Sequence, residues 1–394
     1  MMKVFVIPTW YPTKHRPLWA NWMLPHIELL RENGIESYVL QLGLDDELIP
    51  PNTDPWEQPI RFLNDRHLYV PVPDATGQYQ RSRFFYGRFL QRYTDRLRDM
   101  FNMAVKKWGK PDIFHAHVSL PAGFCAANLG RETGIPVIVQ EHYTGFESDA
   151  RFWWRTGCFV REMGRHVHGF YAVSPGYAKR IEVTGLLKVT GVLPNPIDTE
   201  LFQPCLRSNL GDSFRIVTTG DMGFNKGTDL LFEALRLLLP KLPWSLTLFG
   251  ETANRKKYSR WLDDPEFSSR VSLPGKVTQE ELVKAYSSSA VYVVSSRIET
   301  ANVSMLQAMA CGIPVVATRC GAPETLIDDS VGLSVEPDNP EALARGILEV
   351  ARDMGRYNSK ELRKFVVEHY CKPVIANKVA DAYGKAIVSG AHQA

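Results

Sequence analysis

The sequence has almost no excess of charge of either sign. Among its 394 residues, 46 Lys and Arg side chains stand against 43 Asp and Glu side chains, so the formal net charge is only +3. A protein dedicated to nucleic acid neutralises many phosphates with Lys and Arg, and so small an excess argues against that class. The composition still leaves room for one locally basic surface.

The chain also lacks the segments that mark several other classes of protein. It contains no Gly/Ser-rich or homopolymeric tract, which excludes global disorder and collagen-like structure. The apolar run over residues 4–7 is ended by Pro8 before a signal-peptide core would be complete, and no run is long enough for a transmembrane helix. We therefore expect a cytoplasmic protein.

The cysteines form no recognisable framework. No Cys-x-x-Cys pair occurs, and no His lies at zinc-site spacing from a cysteine, so we predict buried thiols in a reducing compartment. The six cysteines are Cys125, Cys158, Cys205, Cys311, Cys320 and Cys371.

What the chain does contain is an alternation of short apolar, β-branched runs with segments of helical period, which is typical of parallel βαβ layers. The runs fall into two series separated by a turn-rich joint at 194–213. Two doubly wound sheets fit this pattern better than one unusually large sheet. The predicted strands are 4–7, 38–41, 113–115, 137–140, 170–173, 189–193, 214–219, 245–249, 271–273, 291–295 and 314–317.

The strongest functional pattern lies at 295–316, after a predicted strand of the second series. A polar loop there holds Glu299, and Asn302 is a good N-cap for a helix over 303–311. The amides of 303–305 would be unpaired donors at the positive end of the helix dipole, which is a ready site for a phosphate. Glu299 lies just upstream, where its carboxylate can accept hydrogen bonds from sugar hydroxyls.

This stretch resembles the signature of the retaining glycosyltransferases of family 4 (glycosyl transferases group 1). In that signature a Glu, seven residues and a second Glu precede Ala-Met-Ala-x-Gly-x-Pro-Val-Val; here Glu299 holds the first position and Gln307 the second. The resemblance implies that Glu299 contacts the donor sugar near the reacting centre and that Gln307 takes the ribose hydroxyls as a neutral amide. The donor-binding residues it implies are Gly220, Lys226, Thr300, Ala301, Asn302, Val303, Ser304 and Gln307.

The loop after the first strand of the second series resembles the family's diphosphate cradle, Gly-Arg-x-x-x-x-Lys-Gly. Gly220 and Lys226 match it, so Lys226 is expected to neutralise charge on the leaving nucleotide. The Arg position holds Asp221, which cannot replace a cation. Either Arg297 or Arg255 compensates, or the leaving group is less strongly stabilised.

A His-x-His pair, His115 and His117, ends a predicted strand of the first series. A metal would need a third ligand nearby, and none is evident, so no metal site is predicted. By the resemblance, His117 is a catalytic residue beside the donor sugar that faces the acceptor. The segment 140–145, with Glu141 and His142, resembles a family segment that lines the same side of the cleft.

The loop 8–21 contains Trp-Tyr-Pro and resembles that of a family subgroup whose loop continues with Gly. Here Ala20 takes the place of that Gly and follows Trp19. We therefore expect the backbone to approach the donor phosphate less closely.

The resemblance spans about residues 3–375 and implies the GT-B fold, which is α/β with two Rossmann-like doubly wound domains facing a cleft. We expect an acceptor-binding domain over 1–200, a nucleotide-sugar-binding domain over 212–374, and a final segment, 375–394, that crosses back to the first domain. The implied reaction is metal-independent and cofactor-free, and moves a sugar with retention from a UDP- or GDP-sugar to a saccharide or lipid-linked acceptor. Bacterial surface polysaccharide or glycolipid assembly is the expected setting.

Two other interpretations remain open. A GT-B nucleotide-sugar epimerase would use the same cleft without an acceptor, and a nucleotide-sugar-binding module with weak catalysis would account for Asp221 and Gln307.

Residues 79–110 hold nine Lys and Arg side chains against Asp95 and Asp99, interleaved with aromatic residues. One interpretation of this stretch is a pair of amphipathic surface helices. The other is a surface that docks on an anionic membrane, namely the inner membrane face, or that recognises a lipid-linked acceptor.

Overall fold

A computed structural model describes residues 1–13, 20, 22–44, 49–50, 52–73, 82–148, 150–204 and 213–391. The chain divides into two compact units. Unit 1 comprises Met1–Asn195 and Ile375–Ala394, and unit 2 comprises Pro196–Val374. The first unit thus ends five residues before the predicted boundary at 200, and part of the predicted joint, 205–212 with Cys205, lies outside the described residues.

The strands alternate with helices along the chain, as the apolar runs predict. In unit 1 they are β1 (Lys3–Pro8), β2 (Glu36–Leu44), β3 (Arg61–Asn64), β4 (His67–Val72), β5 (Ile113–His117), β6 (Val137–Glu141), β7 (Gly169–Ala172) and β8 (Gly191–Val192). In unit 2 they are β9 (Phe214–Thr219), β10 (Trp244–Phe249), β11 (Val271–Gly275), β12 (Val291–Val294), β13 (Val315–Thr318) and β14 (Gly332–Val335).

The helices follow the strands in the order expected of βαβ units. The α-helices of the described residues are α1 (Met23–Glu32), α2 (Arg83–Trp108), α3 (Phe124–Thr133), α4 (Gly145–Ser148), α5 (Ala150–Gly164), α6 (Pro175–Val183), α7 (Thr228–Leu238), α8 (Ser259–Leu262), α9 (Pro265–Ser268), α10 (Gln279–Ser287), α11 (Val303–Ala310), α12 (Ala322–Leu326), α13 (Pro340–Arg352), α14 (Ser359–Tyr370) and α15 (Lys372–Ala391). No helix of these residues combines the length and apolarity needed to cross a membrane.

Both sheets have the strand order of a doubly wound fold. The order is β3-β4-β2-β1-β5-β6-β7-β8 in unit 1 and β11-β10-β9-β12-β13-β14 in unit 2, and every strand pair is parallel except β3 with β4. This confirms the predicted fold class. The order reverses between β1 and β5 and between β9 and β12, so the loops after those strands diverge and leave a crevice at the sheet edge, where such folds bind ligands.

Three strands and one helical region differ from the expectation. β3, β4 and β14 were not predicted, because they lie in stretches whose apolar runs are short or interrupted by polar residues and Pro71. The predicted pair of surface helices at 79–110 is wrong, because 83–108 form the single helix α2, and residues 79–81 lie outside the described residues. A continuous buried stripe from Tyr86 to Ala104 holds α2 together over its whole length.

The last helix, α15, packs on unit 1. Its buried side chains Ile375, Val379 and Tyr383 belong to the same apolar core as β1 and α1. Inside that core the Tyr383 hydroxyl lies 2.8 Å from Nδ1 of His115 on β5. The end of the chain is therefore tied to the strand that also carries His117.

Ala substitutions at two glycines of unit 2 allow the cost of backbone strain to be measured apart from the cost of a steric clash. Gly250 and Gly275 both have positive φ, +136° and +86°, but a Cβ at Gly250 would lie 1.9 Å from the carbonyl oxygen of Gly220, whereas at Gly275 no atom lies within 4 Å. We expect Gly275→Ala to lower the free energy of unfolding of unit 2 by about 1 kcal/mol, the strain of a left-handed Ala. Gly250→Ala should lower it by roughly 3 kcal/mol or more, because backbone must move as well.

Urea unfolding, with hydrogen exchange of unit 2 peptides as the readout, measures both changes. Equal losses for the two variants would show that the loops after β9 and β10 do not depend on this close approach.

Candidate functional site

In unit 2 the loops after β9 and β12 are locked together at the crevice where the strand order reverses. Oγ of Ser295 donates to the carbonyl oxygen of Lys226 at 2.9 Å, and the amide of Arg297 donates to the carbonyl oxygen of Asn225 at 2.8 Å. A Cβ at Gly227, where φ is +61°, would lie 2.0 Å from the carbonyl oxygen of Ser295. Only glycine therefore allows the two loops to approach this closely.

The two loops bring Lys226 and Glu299 into an ion pair. Nζ of Lys226 lies 2.7 Å from Oε1 of Glu299, and Oγ of Ser296 donates to the same oxygen at 2.6 Å. Burial opposes the charged form of Lys226, but the facing Glu299 carboxylate raises its pKa above the ordinary value. The Lys226 side chain is 36% exposed and that of Glu299 is 7% exposed, so the ammonium is the member of the pair that a ligand meets first.

Both members of the ion pair keep unused hydrogen-bonding capacity. In the described part of the chain, two of the three N–H groups on Nζ of Lys226 have no acceptor, and Oε2 of Glu299 accepts no hydrogen bond. The pair can therefore donate to phosphate oxygens and accept from sugar hydroxyls without being broken.

The helix α11 begins next to this ion pair, as predicted. Asn302, with φ at +50°, is its N-cap, and its Oδ1 accepts from the amide of Met305 at 3.0 Å. The prediction that the Met305 amide is unpaired is therefore wrong. The amides of Val303 and Ser304 do remain without an acceptor among the described residues, and they stand at the positive end of the helix dipole.

The remaining predicted donor-binding residues lie at different positions relative to the pocket that contains the ion pair. Gly220, with φ at +148°, lies under the Lys226 side chain, since a Cβ there would be 3.2 Å from its Cδ. Gly220, Lys226, Ser296 and Asn302 line one pocket of unit 2. Thr300 and the buried Ala301 form the backbone between Glu299 and Asn302, whereas Gln307 lies half-buried on α11, outside the pocket lining.

Arg297 does not compensate for the missing cation at Asp221. Its guanidinium forms two hydrogen bonds with Asp229, at 2.9 and 2.8 Å, and one with Asp338 at 2.6 Å. It also lies over the ring of Phe224 at 4.0 Å. These contacts hold the loop after β12 in place and occupy the Arg297 guanidinium. The exposed Arg255 has no side-chain hydrogen bond or ion pair to the described residues, so it is the cation that remains available.

In unit 1 the loops after β5 and β6 bring histidines together. Nδ1 of His117 lies 3.0 Å from Nε2 of His142, and the rings of His26 and His115 lie 5.4 and 4.1 Å from that of His117. His117 is 1% exposed, whereas His142 is half-buried and stacks on Trp22 with 3.9 Å between ring centroids. His142 is not one of the predicted site residues, although its position directly after β6 is a signal for it.

Burial keeps these imidazoles uncharged. It lowers the pKa of His26 to about 4 and that of His115 to about 3, and it lowers the pKa of His117 and His142 well below the ordinary value. Neutral imidazoles both donate and accept hydrogen bonds, but they supply no positive charge near pH 7.

Glu141 is a structural carboxylate in this unit. Its oxygens accept from the amides of Ser119, His142 and Tyr143 at 2.8 to 2.9 Å and from the Ser119 hydroxyl. Burial raises the pKa of Glu141, and these hydrogen bonds oppose that rise. Glu141 therefore anchors the loops after β5 and β6. Among the residues that the structure describes, no three His, Cys, Asp or Glu side chains are grouped as metal ligands.

Two families match most of the chain between them. Residues 27–201 match Glycosyltransferase Family 4, and residues 213–353 match Glycosyl transferases group 1. A phosphatidylinositol N-acetylglucosaminyltransferase chain of Arabidopsis thaliana is 26% identical over 198 residues, 50% of this chain. The match spans 44% of that relative, less than half of its length.

Solved structures show the same fold. Sucrose-phosphate synthase from Thermosynechococcus elongatus has a TM-score of 0.75 at 17% identity and covers 99% of this chain and 100% of its own. Anabaena Alr3699/HepE, solved with UDP and glucose, has a TM-score of 0.68 at 14% identity and covers 98% of this chain and 100% of its own. The α/β fold with two Rossmann-like units is that of the GT-B class.

The buried histidines make the stability of unit 1 depend on pH. A pKa lowered by folding contributes stability above the unfolded value of about 6.5, and this stability is lost as the pH falls toward the folded value. Between about pH 7 and about pH 5, His26 and His115 should each reduce the free energy of unfolding by roughly 2 kcal/mol.

Hydrogen exchange resolved by peptide, corrected for the intrinsic rate at each pH, measures this loss. Unit 2 is the internal control, because its one histidine is the exposed His369. An equal loss of protection in both units would contradict the assignment to the buried histidines.

Proposed function

Because the chain belongs to the family 4 glycosyltransferases (glycosyl transferases group 1), we propose that it transfers a glycosyl unit with retention from a nucleotide diphosphate sugar to a saccharide or lipid-linked acceptor. The ion pair between Lys226 and Glu299 beside the unpaired amides of α11 carries this proposal. It combines a cation, amide donors and a carboxylate oxygen at the crevice of unit 2, which is the set of groups that a diphosphate joined to a sugar requires.

In the proposed reaction, unit 2 binds a UDP- or GDP-sugar. Lys226 and the amides of Val303 and Ser304 face the diphosphate, so the charge on the leaving group is neutralised without a metal ion or cofactor. Oε2 of Glu299 accepts from hydroxyls of the donor sugar, and the half-buried Gln307 faces the ribose. The UDP bound by Anabaena HepE, which shares the fold, supports this class of donor.

The bond between the anomeric carbon and the diphosphate breaks, and the oxygen of the acceptor hydroxyl forms the new bond to that carbon while its proton passes to the departing diphosphate. Unit 1 takes the acceptor, with His117 and its hydrogen-bonded neighbour His142 as the groups closest to the acceptor hydroxyl. Asp221 beside Lys226 leaves the diphosphate with less positive charge than an Arg would supply. In this proposal the exposed Arg255, which follows β10 in the chain, supplies the missing charge.

The proposed setting is the cytoplasmic assembly of a bacterial surface polysaccharide or glycolipid. The described cysteines are free thiols, which a reducing compartment favours. The glycolipid part of this proposal also accounts for the amino-terminal turn of α2, where the aromatic side chains Phe84 and Phe85 are 68% and 50% exposed.

Removing the charge of Lys226 should reduce transfer with the fold intact. We expect Lys226→Ala to lower kcat by about 100-fold, as for the loss of one donor to a developing anion. Lys226→Gln should lose a similar amount while retaining a hydrogen bond to the buried Glu299, which guards against misfolding. Lys241→Ala, at an exposed position after α7, is the matched control.

The experiment first identifies the donor by calorimetric titration with a panel of UDP- and GDP-sugars, and then follows product with and without acceptor. Normal turnover by both Lys226 variants would refute the proposed role. Conversion of the donor without an acceptor would favour the epimerase, and binding without turnover would favour the binding module.

We propose that the start of α2 is the part of this helix that contacts a membrane. Farther along the helix, Arg98 pairs with Glu132 and Asp95, and Arg96 pairs with Asp99. The exposed Arg83 and Arg88 form no ion pair with the described residues, and they flank the exposed Phe84 and Phe85. An aromatic pair flanked by cations suits an anionic lipid surface.

We expect the double variant Phe84→Ala/Phe85→Ala to lose most of its sedimentation with phosphatidylglycerol vesicles, and binding of the unaltered protein to weaken as salt rises above about 0.1 M. Val183→Ala, which removes another exposed apolar side chain of unit 1, is the control. Unchanged sedimentation of the double variant would remove α2 from any membrane contact.

A further inference from the structure

The segment of unit 2 that carries Lys226 is a single turn of 3₁₀ helix, Phe224–Lys226. The amide of Lys226 donates to the carbonyl oxygen of Gly223 at 3.2 Å, and the amide of Gly227 donates to that of Phe224 at 3.1 Å. Such short turns have poorer hydrogen-bond geometry than an α-helix. The position of Lys226 therefore depends on the contacts that the turn makes with the rest of the unit.

Arg297 holds this turn from the loop after β12. Its Nη1 donates to the carbonyl oxygen of Phe224 at 2.7 Å, and its backbone amide donates to the carbonyl oxygen of Asn225 at 2.8 Å. The guanidinium also lies over the Phe224 ring, with 4.0 Å between its Cζ and the ring centroid. One arginine thus fixes the two residues that precede Lys226.

The guanidinium of Arg297 is itself fixed by two carboxylates from different parts of unit 2. Nη1 and Nη2 donate to the two oxygens of Asp229, in the first turn of α7, and Nε donates to Asp338, which follows β14. The Arg297 side chain is only 13% exposed. A planar guanidinium can make this two-pronged contact and lie on a ring at the same time, whereas the ammonium of a lysine cannot. The position therefore requires an arginine and not only a positive charge.

The backbone of Glu299 is held by other contacts. Its amide donates to the carbonyl oxygen of Cys320 at 2.7 Å, and its carbonyl oxygen accepts from the amide of Ala322 at 3.1 Å, so the loop after β13 fixes it. Loss of the Arg297 side chain would therefore move Lys226 relative to Glu299. The hydrogen bond from Oγ of Ser295 to the carbonyl oxygen of Lys226 would remain, which limits the displacement.

We propose that Arg297 is a positioning residue, which holds Nζ of Lys226 at the place where the leaving group gains charge. This inference rests on the proposed glycosyl transfer. Arg297 acts through the backbone of Phe224 and Asn225 and does not touch the donor, because its guanidinium is occupied. A displaced Lys226 still attracts the diphosphate, but it stabilises the charge that develops in the transition state less well. The effect therefore falls on kcat more than on KM.

Amine labelling tests the placement of Lys226 without any substrate. Limited acetylation of the full chain with acetic anhydride, read out by peptide mass spectrometry, measures the rate at Lys226 relative to the exposed Lys241. The ion pair with Glu299 favours the charged form of Lys226, and only the uncharged amine reacts, so Lys226 should react slowly. We expect Arg297→Ala to raise its relative rate by about ten-fold, which is typical of coupling within one ion-pair network.

The matched control is Arg270→Ala. Arg270 also has an acidic and an aromatic partner in unit 2, since it lies 3.6 Å from Glu266 and its Cζ is 5.7 Å from the centroid of a Trp244 ring. It precedes β11, at the amino end of that strand, and it makes no contact with the turn that carries Lys226. Labelling of Lys226 and transfer should both be unchanged in this variant.

Steady-state kinetics measures the effect on transfer. We expect Arg297→Ala to lower kcat by about ten-fold and to change KM for the donor by less than about three-fold. Arg297→Lys keeps the charge and guards against misfolding, and its kcat should lie between those of Arg297→Ala and the unaltered protein.

An unchanged labelling rate of Lys226, an unchanged kcat in Arg297→Ala, or a change in KM alone would each overturn the positioning role. Full activity of Arg297→Lys would overturn it as well, because a lysine cannot make the two-pronged contact. The proposed function fails by a different result, namely normal turnover by the Lys226 variants. Lys226→Ala with reduced turnover beside a fully active Arg297→Ala would leave the proposed function standing and remove only this inference.

Discussion

The ion pair between Lys226 and Glu299 is the contact on which the crevice of unit 2 depends. A buried carboxylate is tolerated only with a partner and further hydrogen bonds, and Glu299 has both in Lys226 and Ser296. Holding this pair requires the loops after β9 and β12 to touch, which explains why Gly227 lies against Ser295. Because Nζ of Lys226 keeps two N–H groups for a ligand, the same contact both stabilises the crevice and prepares it for an anion.

In unit 1 the loops at the edge of the sheet are stabilised without an ion pair between charged side chains. Its buried histidines stay neutral, and Glu141 satisfies backbone amides in place of pairing with a cation. The imidazoles that face His117 at this edge are therefore uncharged near pH 7. Unit 2 thus holds its crevice with an ion pair, whereas unit 1 holds the loops after β5 and β6 with neutral imidazoles and with hydrogen bonds from backbone amides to Glu141.

The predictable part of the fold came from signals between residues close in sequence. The alternation of strands and helices, the N-cap at Asn302 and the buried stripe of α15 all follow from local hydrogen bonding and periodicity. β4 and β14 escaped prediction because their pattern is weak and their place in the sheets is set by pairing with β2 and β13. The predicted pair of helices at 79–110 was wrong because the buried stripe of α2 runs unbroken from Tyr86 to Ala104. Charge counting also could not show that Arg98 pairs with Glu132 in the folded chain.

The order of residues was enough to establish two doubly wound units, whereas the assignment of Lys226 and Glu299 to a phosphate and sugar site stays a prediction. The folded chain was needed to show that these side chains, 73 positions apart, bind each other, and that Arg297 is bound to Asp229 and unavailable to a ligand. It also showed that the half-buried His142 stacks on Trp22 and lies within hydrogen-bonding distance of the buried His117. The reason is physical: spacing along the chain sets which face of a strand or helix a side chain occupies, but strand order decides which loops meet.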